Sequence, residues 1–288
     1  MKSKRFLILG AGGQLGTEWI KSLTNLDFKY LATDFPETDI SNVGHLEAKF
    51  IEFQPDVVVN CAAYTAVDKA EDDNEANNAI NHLAAKLLAE TCKKYNALLI
   101  HYSTDYVFSG DASDEDTYPD GYPENAPTSP LNAYGLAKWN GEEAIRATGV
   151  QYLILRISWL CGAVGHNFMK TMIRLGKERD ELNVVHDQIG SPTFTFDVVD
   201  ASLKLIEQDL VGEWHVTSQG KMSWYDFAKL TLQEAGINVK LTPITSDQFP
   251  MKAKRPFYSK LSTKKFEMHT NGVKYSALDG IRRFLKEI

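Results

Sequence analysis

Cysteine is scarce in this sequence and forms no recognisable pattern. Only three of the 288 residues are cysteines, Cys61, Cys92 and Cys161, and no two of them make a Cys-x-x-Cys pair. This wide spacing argues against a disulfide framework and against a zinc site, and it predicts a protein of the reducing, cytoplasmic compartment. Long apolar runs are missing too, since none approaches the ~20 residues that span a bilayer. We therefore expect no membrane partner.

The N-terminus only superficially resembles a secretion signal. Lys2, Lys4 and Arg5 precede a short apolar stretch, residues 6–9. Because that stretch is too short for a signal peptide and runs directly into Gly10, we interpret it as a first strand followed by a turn.

An excess of positive charge is lacking as well. The formal net charge is −7, which disfavours general nucleic-acid binding. The charge is unevenly spread: residues 111–124 carry six acids and no base, whereas residues 251–265 carry six bases and no acid. Such runs are often only solvated faces. That interpretation stays open beside the alternative that the basic run attracts an anionic ligand.

The first half of the sequence alternates apolar segments with helical patterns. Five short, nearly continuous apolar segments are typical of strands buried on both faces: Phe6–Leu9, Tyr30–Thr33, Val57–Asn60, Leu98–Ser103 and Tyr152–Ile157. Helical patterns separate them at Gln14–Leu26, Val43–Gln54, Asn77–Tyr95 and Asn132–Thr148. The alternation predicts an α/β fold with a Rossmann-type, doubly wound parallel sheet.

Beyond about residue 158 the pattern is irregular and interrupted by prolines. Helices are predicted at Phe168–Glu178, Val198–Gln208, Trp224–Ala235 and Leu278–Lys286. We predict a sheet domain over residues 1–157 and a smaller, partly interleaved domain over residues 158–288, some of whose segments return to the sheet.

The turn after the first predicted strand is rich in glycine. Gly10, Gly13 and Gly16 form a GxxGxxG pattern just before a predicted helix. A tight turn needs the backbone freedom of glycine, and a pyrophosphate needs unobstructed N–H groups at a helix N-terminus. In this position the pattern favours a dinucleotide cofactor over a plain tight turn. Asp34, at the end of the second strand, mildly favours NADH because a carboxylate accepts from a ribose hydroxyl and repels a 2′-phosphate, unless it is only a capping residue.

A tyrosine and a lysine stand four residues apart in the fourth predicted helix. Positions i and i+4 share a helix face, so Tyr134 and Lys138 are expected to lie together. A nearby ammonium lowers the pKa of a phenol, and such a pair suits general acid–base work on a carbonyl or an alcohol. A surface pair with no chemical role would share this spacing.

Two strand ends supply further polar and small residues. Thr104 and Asp105 follow the fourth predicted strand, and residues 60–65 follow the third. Ligand sites in open parallel sheets lie at the carboxyl ends of strands. We expect the Thr104 hydroxyl to bond a reacting carbonyl oxygen there, and Ala62 and Ala63 to let a cofactor lie close.

Taken in order, the motifs resemble a known family. The glycine turn, NCAAYT at residues 60–65, STDYVF at residues 103–108 and YGLAK at residues 134–138 together resemble the extended short-chain dehydrogenase/reductases. Finer matches resemble the dTDP-4-dehydrorhamnose reductase family within them: Gly13–Gly16, Ala66–Glu71, Arg156–Trp159, Asn167–Phe168 and Gly190–Thr193.

The resemblance implies that NADPH or NADH reduces the 4-keto group of dTDP-4-dehydro-L-rhamnose to give dTDP-L-rhamnose. It implies Tyr134 as the proton donor, with Lys138 and Thr104 as catalytic partners. Asp105 and Trp159, with Thr104, would contact the sugar. The residues implied for the cofactor are Gly10, Gly13, Gln14, Leu15, Gly16, Asp34, Asp39, Ile40, Ala62, Ala63, Tyr64, Thr65, Tyr134 and Lys138.

Three further expectations accompany the resemblance. Arg255, in the basic run, is the best candidate for the substrate diphosphate because its planar fork binds phosphate bidentately. Members of the family are described with a magnesium ion at a dimer contact, so the resemblance allows for Mg²⁺ and a homodimer. The sequence has no dedicated ligand cluster, however, and we predict no metal-ligating residues. Residues 1–157 would hold the NAD(P) cofactor, and residues 158–288 mainly the substrate.

The sequence also departs from the family pattern. Residues 111–127 form a longer connection than expected and are interpreted as a mobile flap. Cys161 stands where an aromatic residue is expected shortly after Trp159, which would change the sugar pocket.

Two alternative functions stay open. One is another nucleotide-sugar 4-ketoreductase, epimerase or dehydratase of the same fold. The other is a non-catalytic regulatory subunit like that of methionine adenosyltransferase, against which the intact set of Thr104, Tyr134 and Lys138 argues.

Overall fold

A parallel sheet lies at the centre of the molecule and confirms the predicted fold class. The computed structural model describes residues 4–288, so residues 1–3 of the predicted first domain lie outside the described range. The strands, numbered in chain order, are β1 (Arg5–Leu9), β2 (Lys29–Thr33), β3 (Val57–Asn60), β4 (Leu98–Thr104), β5 (Tyr152–Ile157), β6 (Leu160–Cys161), β7 (Glu181–Val185), β8 (Ile189–Gly190), β9 (Thr193–Phe194), β10 (Gly212–His215), β11 (Met222–Ser223) and β12 (Lys240–Ile244). Six of them pair in parallel in the order β10-β5-β4-β3-β1-β2.

Helices connect the strands and surround the sheet. They are α1 (Gln14–Asn25), α2 (Val43–Phe53), α3 (Asn74–Asn78), α4 (Ala84–Lys94), α5 (Asp114–Thr117), α6 (Ala133–Thr148), α7 (Phe168–Glu178), α8 (Thr195–Glu207), α9 (Trp224–Glu234), α10 (Lys264–His269) and α11 (Ala277–Leu285). A π-helical segment, Ala79–Leu83, joins α3 to α4. Within residues 4–288, none of the helices combines the length and the apolar character needed to cross a membrane.

Both faces of the sheet are covered. Phe6 of β1 belongs to a buried cluster with Trp19 of α1, whereas the next residue, Leu7, belongs to a second cluster with Phe50 of α2. Successive side chains of a strand point to opposite faces. The consecutive apolar residues from Phe6 to Leu9 are therefore needed to fill both clusters, which leaves the strand ends as the place for ligands.

The chain beyond residue 157 contributes both to the sheet and to a separate group of elements. Strand β10 pairs with β5 at one edge of the sheet, and Val198 of α8 packs in the same cluster as Phe6. Helices α7, α9 and α11 instead surround Phe194 and Phe227, and we name them, with β6 to β9, β11 and β12, the C-terminal lobe. The sequence analysis missed its strands. Four of them have only two residues, which is too short to show a period, and the five-residue strands β7 and β12 lie in the irregular part of the sequence beyond residue 158.

The two oppositely charged segments pack against each other. The backbone N–H of Tyr122, which is almost fully buried, donates to the carbonyl of Lys260 at 2.9 Å. Lys264 and Asp120 form a salt bridge at 2.7 Å. Residues 111–127 are therefore packed on the protein body rather than free of it as a flap would be. Part of the basic run is neutralised by acids.

Candidate active site

The predicted site residues follow strands whose carboxyl ends meet at one edge of the sheet. Leu9 of β1 is the register partner of Asn60 of β3, and Thr104 of β4 is that of Ile157 of β5. The segments that follow these strands therefore lie side by side. This edge is where open α/β sheets bind ligands.

A cavity of ≈ 390 Å³ opens at this edge. Eight predicted cofactor residues line it: Gly10, Gly13, Asp34, Asp39, Ile40, Ala62, Ala63 and Tyr64. The other six predicted cofactor residues are not among its lining residues: Gln14, Leu15, Gly16, Thr65, Tyr134 and Lys138. The sequence analysis missed four that are: Phe35, Thr38, Cys61 and Ile80.

Two glycines let the backbone approach itself closely beneath this cavity. Gly10 has a φ of +77°, and a Cβ there would lie 2.5 Å from the backbone N of Ala62. A Cβ at Gly16 would lie 2.2 Å from the Gly10 carbonyl oxygen. Gly16 therefore shapes the turn without lining the cavity. Gly13 caps α1 with no side-chain hydrogen bond, so the first N–H groups of the helix remain available to an anion.

Asp34 ties the end of β2 to the glycine turn. One carboxylate oxygen accepts from the N–H of Gly12 at 2.7 Å, and the other accepts from the N–H of Phe35 at 2.8 Å. Asp34 therefore lines the cavity, and each of its carboxylate oxygens already accepts one hydrogen bond from a backbone N–H.

Gln14 bonds the C-terminal lobe instead of lining the cavity. Its Oε1 accepts from the N–H of Gly162 at 2.8 Å and from Nδ2 of Asn167 at 3.1 Å. The first residue of α1 thus links the glycine turn to the segment that precedes α7.

Helix α6 carries Tyr134 in its first turn. Asn132 caps this helix, because its Oδ1 accepts from the N–H of Gly135 at 2.8 Å. A Cβ at Gly135 would lie 2.3 Å from the carbonyl oxygen of Tyr106. The absence of a side chain therefore lets the first turn of α6 rest directly on the segment that follows β4.

Tyr134 lies beside Thr104 and Asp105. Desolvation and the negative charge of Asp105 raise the pKa of Tyr134 to about 12, while a hydrogen bond with the Thr104 hydroxyl opposes the rise. A phenol with this pKa keeps its proton at neutral pH and can donate it to a stronger base.

Lys138 points toward β4. Its Nζ donates to the carbonyl oxygen of Tyr102 at 2.5 Å and lies 3.1 Å from Nε2 of His101. Burial lowers the pKa of Lys138 to about 8 against the opposing charge of Glu142. The prediction that Lys138 lowers the pKa of Tyr134 is wrong, since desolvation dominates there. His101 was missed; its only sequence signal is a polar residue inside an apolar strand.

Thr104 and Asp105 form a buried polar pair at the end of β4. The Thr104 hydroxyl donates to Oδ1 of Asp105 at 3.0 Å and accepts from the N–H of Tyr106 at 3.2 Å. Burial raises the pKa of Asp105 to about 7, against the hydroxyls of Ser259 and Thr104. Asp105 can therefore exchange a proton near neutral pH.

Trp159 adopts a left-handed backbone conformation, with a φ of +47°. Its ring stacks on that of Trp224 with 3.7 Å between the centroids, so α9 fixes its orientation. Cys161, two residues on, is fully buried in the cluster around Phe194. The expectation that Cys161 changes a sugar pocket is therefore not met, because its side chain fills the core of the C-terminal lobe.

Arg255 is held beside the site by an acid. Its Nη2 donates to Asp68 at 2.8 Å, and its guanidinium lies 5.9 Å from the ring centre of Tyr106. Nη1 is buried and has no hydrogen-bond partner within residues 4–288. The two N–H donors of Nη1 thus have no acceptor among the described residues.

The magnesium expectation has no support in the described part of the chain. Among residues 4–288, no group of three or more His, Cys, Asp or Glu side chains is placed to hold a metal ion.

Comparisons with known proteins agree with the motifs. dTDP-4-dehydrorhamnose reductase from Escherichia coli strain K12 is 37% identical over 297 residues, which cover 98% of this chain and 97% of that protein. A probable dTDP-4,6-dihydroxy-2-methyloxan-3-one 4-ketoreductase from Streptomyces antibioticus is also 37% identical, over 89% of this chain and 86% of that protein.

Among solved structures, dTDP-4-dehydrorhamnose reductase from Bacillus anthracis in complex with NADP has a TM-score of 0.93 and 38% identity, covering 99% of this chain and 100% of that chain. The family profile of the RmlD substrate binding domain matches residues 4–288. Because this match and these relatives extend over essentially the whole described chain, the protein belongs to the RmlD substrate binding domain family, which includes the dTDP-4-dehydrorhamnose reductases.

Proposed function

We propose that this protein reduces dTDP-4-dehydro-L-rhamnose to dTDP-L-rhamnose, with a nicotinamide nucleotide as the hydride donor. The observation that carries the proposal is the grouping of Thr104, Asp105 and Tyr134 at the end of β4, on the sheet edge that holds the glycine-lined cavity. A protonated tyrosine beside a hydroxyl is suited to receive a reacting carbonyl oxygen.

The cavity fits a dinucleotide on two grounds. The close backbone contacts at Gly10 and Gly16 leave no room for side chains, and the uncapped N-terminus of α1 offers N–H groups to a pyrophosphate. When bound there, the nicotinamide would supply the hydride to the sugar carbon. NADPH is the proposed donor because the Bacillus anthracis relative was solved with NADP, and NADH is the competitor that Asp34 favours.

Residues of this chain would then donate the proton and orient the sugar. Tyr134 holds its proton on Oη at neutral pH because its pKa is about 12, and it gives that proton to the alkoxide that hydride transfer creates. The Thr104 hydroxyl orients the sugar oxygen, and Asp105 and Trp159 contact the sugar ring. Holding the reactants in this way makes the reaction effectively unimolecular, which can lower the activation free energy by ~7–11 kcal/mol.

Arg255 is proposed to bind the substrate diphosphate through its unpaired Nη1. That this protein forms a homodimer remains a prediction made from the sequence.

A coupled assay tests the proposal. The purified protein is given dTDP-4-dehydro-L-rhamnose, made in situ, with NADPH or NADH, while absorbance at the nicotinamide band is followed and the sugar product is identified. We expect oxidation of the nicotinamide with dTDP-L-rhamnose as product, and the relative rates rank the two cofactors. Cofactor binding without oxidation would contradict the proposed substrate while leaving the cofactor site intact.

One relative favours a second candidate function. The Streptomyces antibioticus protein is named a probable ketoreductase of a different dTDP-linked keto sugar. Its sequence identity to this chain, 37%, is the same as that of the Escherichia coli enzyme. The same assay with a panel of nucleotide-linked 4-keto sugars separates the two candidates by their kcat/KM. Failure to turn over any keto sugar would revive the regulatory-subunit alternative.

A further inference from the structure

The backbone of Trp159 is unusual for a bulky residue. Its φ of +47° lies in the left-handed region, where the Cβ of an L-residue crowds the following carbonyl oxygen. Such a conformation persists only when the surrounding contacts determine it, and it is concentrated at binding sites and active sites. The contacts that determine it here come from the C-terminal lobe.

Residues that follow β8 hold the backbone on both sides of Trp159. The Ser158 hydroxyl donates to the carbonyl oxygen of Ser191 at 2.6 Å. The N–H of Thr193 donates to the carbonyl oxygen of Trp159 at 3.3 Å. Because Ser158, Ser191 and Thr193 are all buried, water does not compete with these bonds, and the lobe fixes the main chain at this point.

The indole ring of Trp159 contacts two residues that the antiparallel β8–β11 pair brings together. Gly190 of β8 is the register partner of Met222, and Trp224 follows β11 directly. The ring of Trp224 stacks on that of Trp159 with 15° between the two planes. A Cβ at Gly190 would lie 2.8 Å from Cε2 and Cζ2 of the Trp159 ring. We name Gly190 and Trp224 the Trp159 clamp.

Trp224 is itself held in place from two directions. It begins α9, and a capping box fixes this helix start: the Ser223 hydroxyl accepts from the N–H of Asp226 at 3.0 Å, and the Asp226 carboxylate accepts from the N–H of Ser223 at 3.1 Å. Phe168 of α7 packs against the Trp224 ring with 4.6 Å between the centroids. Trp224 therefore offers Trp159 a fixed support.

The clamped ring lies close to the polar pair at the end of β4. A Cβ at Gly190 would also lie 2.6 Å from the Ser259 hydroxyl oxygen, and that hydroxyl is near enough to Asp105 to lower the pKa of its carboxyl group. Trp159, Ser259 and Asp105 therefore lie around one small volume. Trp159 is only half-buried, so part of its side chain stays accessible to a ligand.

We propose that Trp224 and Gly190 are positioning residues that hold the indole of Trp159 in place as one wall of the sugar pocket. The inference rests on the proposed function, in which Trp159 contacts the sugar ring. A wall that is fixed before the substrate arrives loses little conformational freedom on binding, which strengthens binding. The C-terminal lobe thus controls the affinity for the sugar through residues that act on Trp159.

Circular dichroism of the intact protein tests the clamp without a substrate. Two indoles stacked this closely couple their electronic transitions and give a paired positive and negative band. Trp159→Phe and Trp224→Phe should each abolish this pair of bands. Trp214→Phe, which replaces a buried tryptophan packed edge-on against His269, should leave it unchanged. A pair of bands that survives Trp224→Phe would overturn the stacked arrangement.

Kinetics separate positioning from simple filling of space. Trp224→Leu keeps apolar bulk but removes the stacking ring, whereas Trp224→Phe keeps an aromatic face. We expect Trp224→Leu to raise KM for the dTDP-sugar about 3–10-fold, the contribution of an aromatic pair, with KM for the cofactor nearly unchanged. Trp224→Phe should recover most of this loss. Equal effects on the two KM values, or equal effects of the two variants, would refute the positioning role.

Gly190→Ala tests the other half of the clamp, also in the event that Trp224→Leu does not fold. Its Cβ would force the Trp159 ring to move, so KM for the dTDP-sugar should rise again while KM for the cofactor stays nearly unchanged. An unchanged KM for the sugar would remove Gly190 from the clamp.

A binding measurement distinguishes failure of this inference from failure of the proposed reaction. If the wild type turns over no keto sugar, the proposed function fails, and calorimetry then compares the affinity for dTDP-L-rhamnose with that for dTDP. The additional affinity that the rhamnosyl group provides should be smaller in Trp224→Leu than in the wild type. The same additional affinity in both proteins, or none in the wild type, would overturn the inference.

Discussion

At the scale of single residues, Tyr134 depends on its hydroxyl alone for the proposed chemistry. Tyr134→Phe removes the proton donor but keeps the ring that packs edge-on against Tyr106. We expect kcat to fall roughly 10²–10⁴-fold, the usual contribution of a general acid, with nearly unchanged cofactor affinity. Steady-state kinetics and a cofactor titration by fluorescence measure the two quantities. Turnover close to that of the wild type would remove Tyr134 from the role of proton donor.

Arg255 offers a second test at this scale. Loss of a charge-assisted hydrogen bond costs about 1.5–3 kcal/mol, so Arg255→Ala should raise KM for the dTDP-sugar roughly 10–100-fold and leave KM for the cofactor nearly unchanged.

Lys252 provides the matched control for Arg255. It lies in the same basic run and pairs with Asp72 on an exposed surface, where ion pairs are worth little. Lys252→Ala should therefore change neither KM. Equal effects of Arg255→Ala on substrate and cofactor would reject the diphosphate role.

Residue types and spacings predicted which side chains lie together where one short motif supplies each of them. Tyr134, Thr104 and the glycine turn lie where the motifs indicated. The spacing could not reveal the direction in which Lys138 points, because its partners, His101 and Tyr102, lie on a strand distant in sequence. Desolvation of Tyr134 is likewise a property of the assembled core and has no local signature.

At the scale of elements, the capping residue Asn132 both starts helix α6 and bonds the start of this helix to the segment that contains Lys254. Asn132 accepts from the N–H of Gly135 and donates through Nδ2 to the carbonyl of Lys254. Asn132→Ala should cost about 1 kcal/mol of stability for the lost cap, and it should lower kcat because Tyr134 sits in the first turn. Urea unfolding and kinetics measure the two effects.

Asn132→Asp separates the cap from the attachment. A carboxylate keeps the acceptor for the helix N–H groups but loses the donor to Lys254. We expect this variant to retain more stability than Asn132→Ala. Equal stability of the two variants would argue that the cap contributes nothing.

The long elements were predictable because their apolar residues recur with a helical or strand period. The segments Val57–Asn60 and Tyr152–Ile157 begin and end where the sequence pattern placed them. The strand Gly212–His215 was missed because only a partner distant in sequence, β5, makes this segment a strand. The two-residue strands of the C-terminal lobe were missed because they are too short to show a period.

At the scale of the whole molecule, a buried network joins α6, β5 and β10. Arg156 pairs with Glu142 and lies 3.4 Å from Nε2 of His215, whose Nδ1–H donates to the carbonyl of Tyr122. Burial, and then the Arg156 charge, hold the pKa of His215 well below its usual range. His215 is therefore neutral when folded and gains a proton only when the chain unfolds in acid.

The sign of the pH effect follows from this difference. The unfolded state binds one more proton below the usual histidine pKa of ~6.5, so His215 lowers the free energy of unfolding as the pH falls. From pH 7.5 to 5.5 the loss is about 1.4 kcal/mol. The free energy of unfolding of the wild type minus that of His215→Gln should decrease by this amount, as measured by urea unfolding. A difference that is the same at both pH values would contradict the assignment.

The position of β10 has a consequence for synthesis on the ribosome. The strand that completes the edge of the sheet beside β5, and the helix α8 that packs on the same side as Trp19, are encoded well after the predicted first domain ends. A nascent chain that has emerged only as far as residue 157 still exposes the backbone edge of β5 and part of the apolar surface around Trp19. The six-stranded sheet therefore cannot be completed during synthesis until residue 215 has left the exit tunnel. A truncated protein that ends at residue 157 would expose the unpaired backbone N–H and C=O groups of β5, which can pair with strands of other chains.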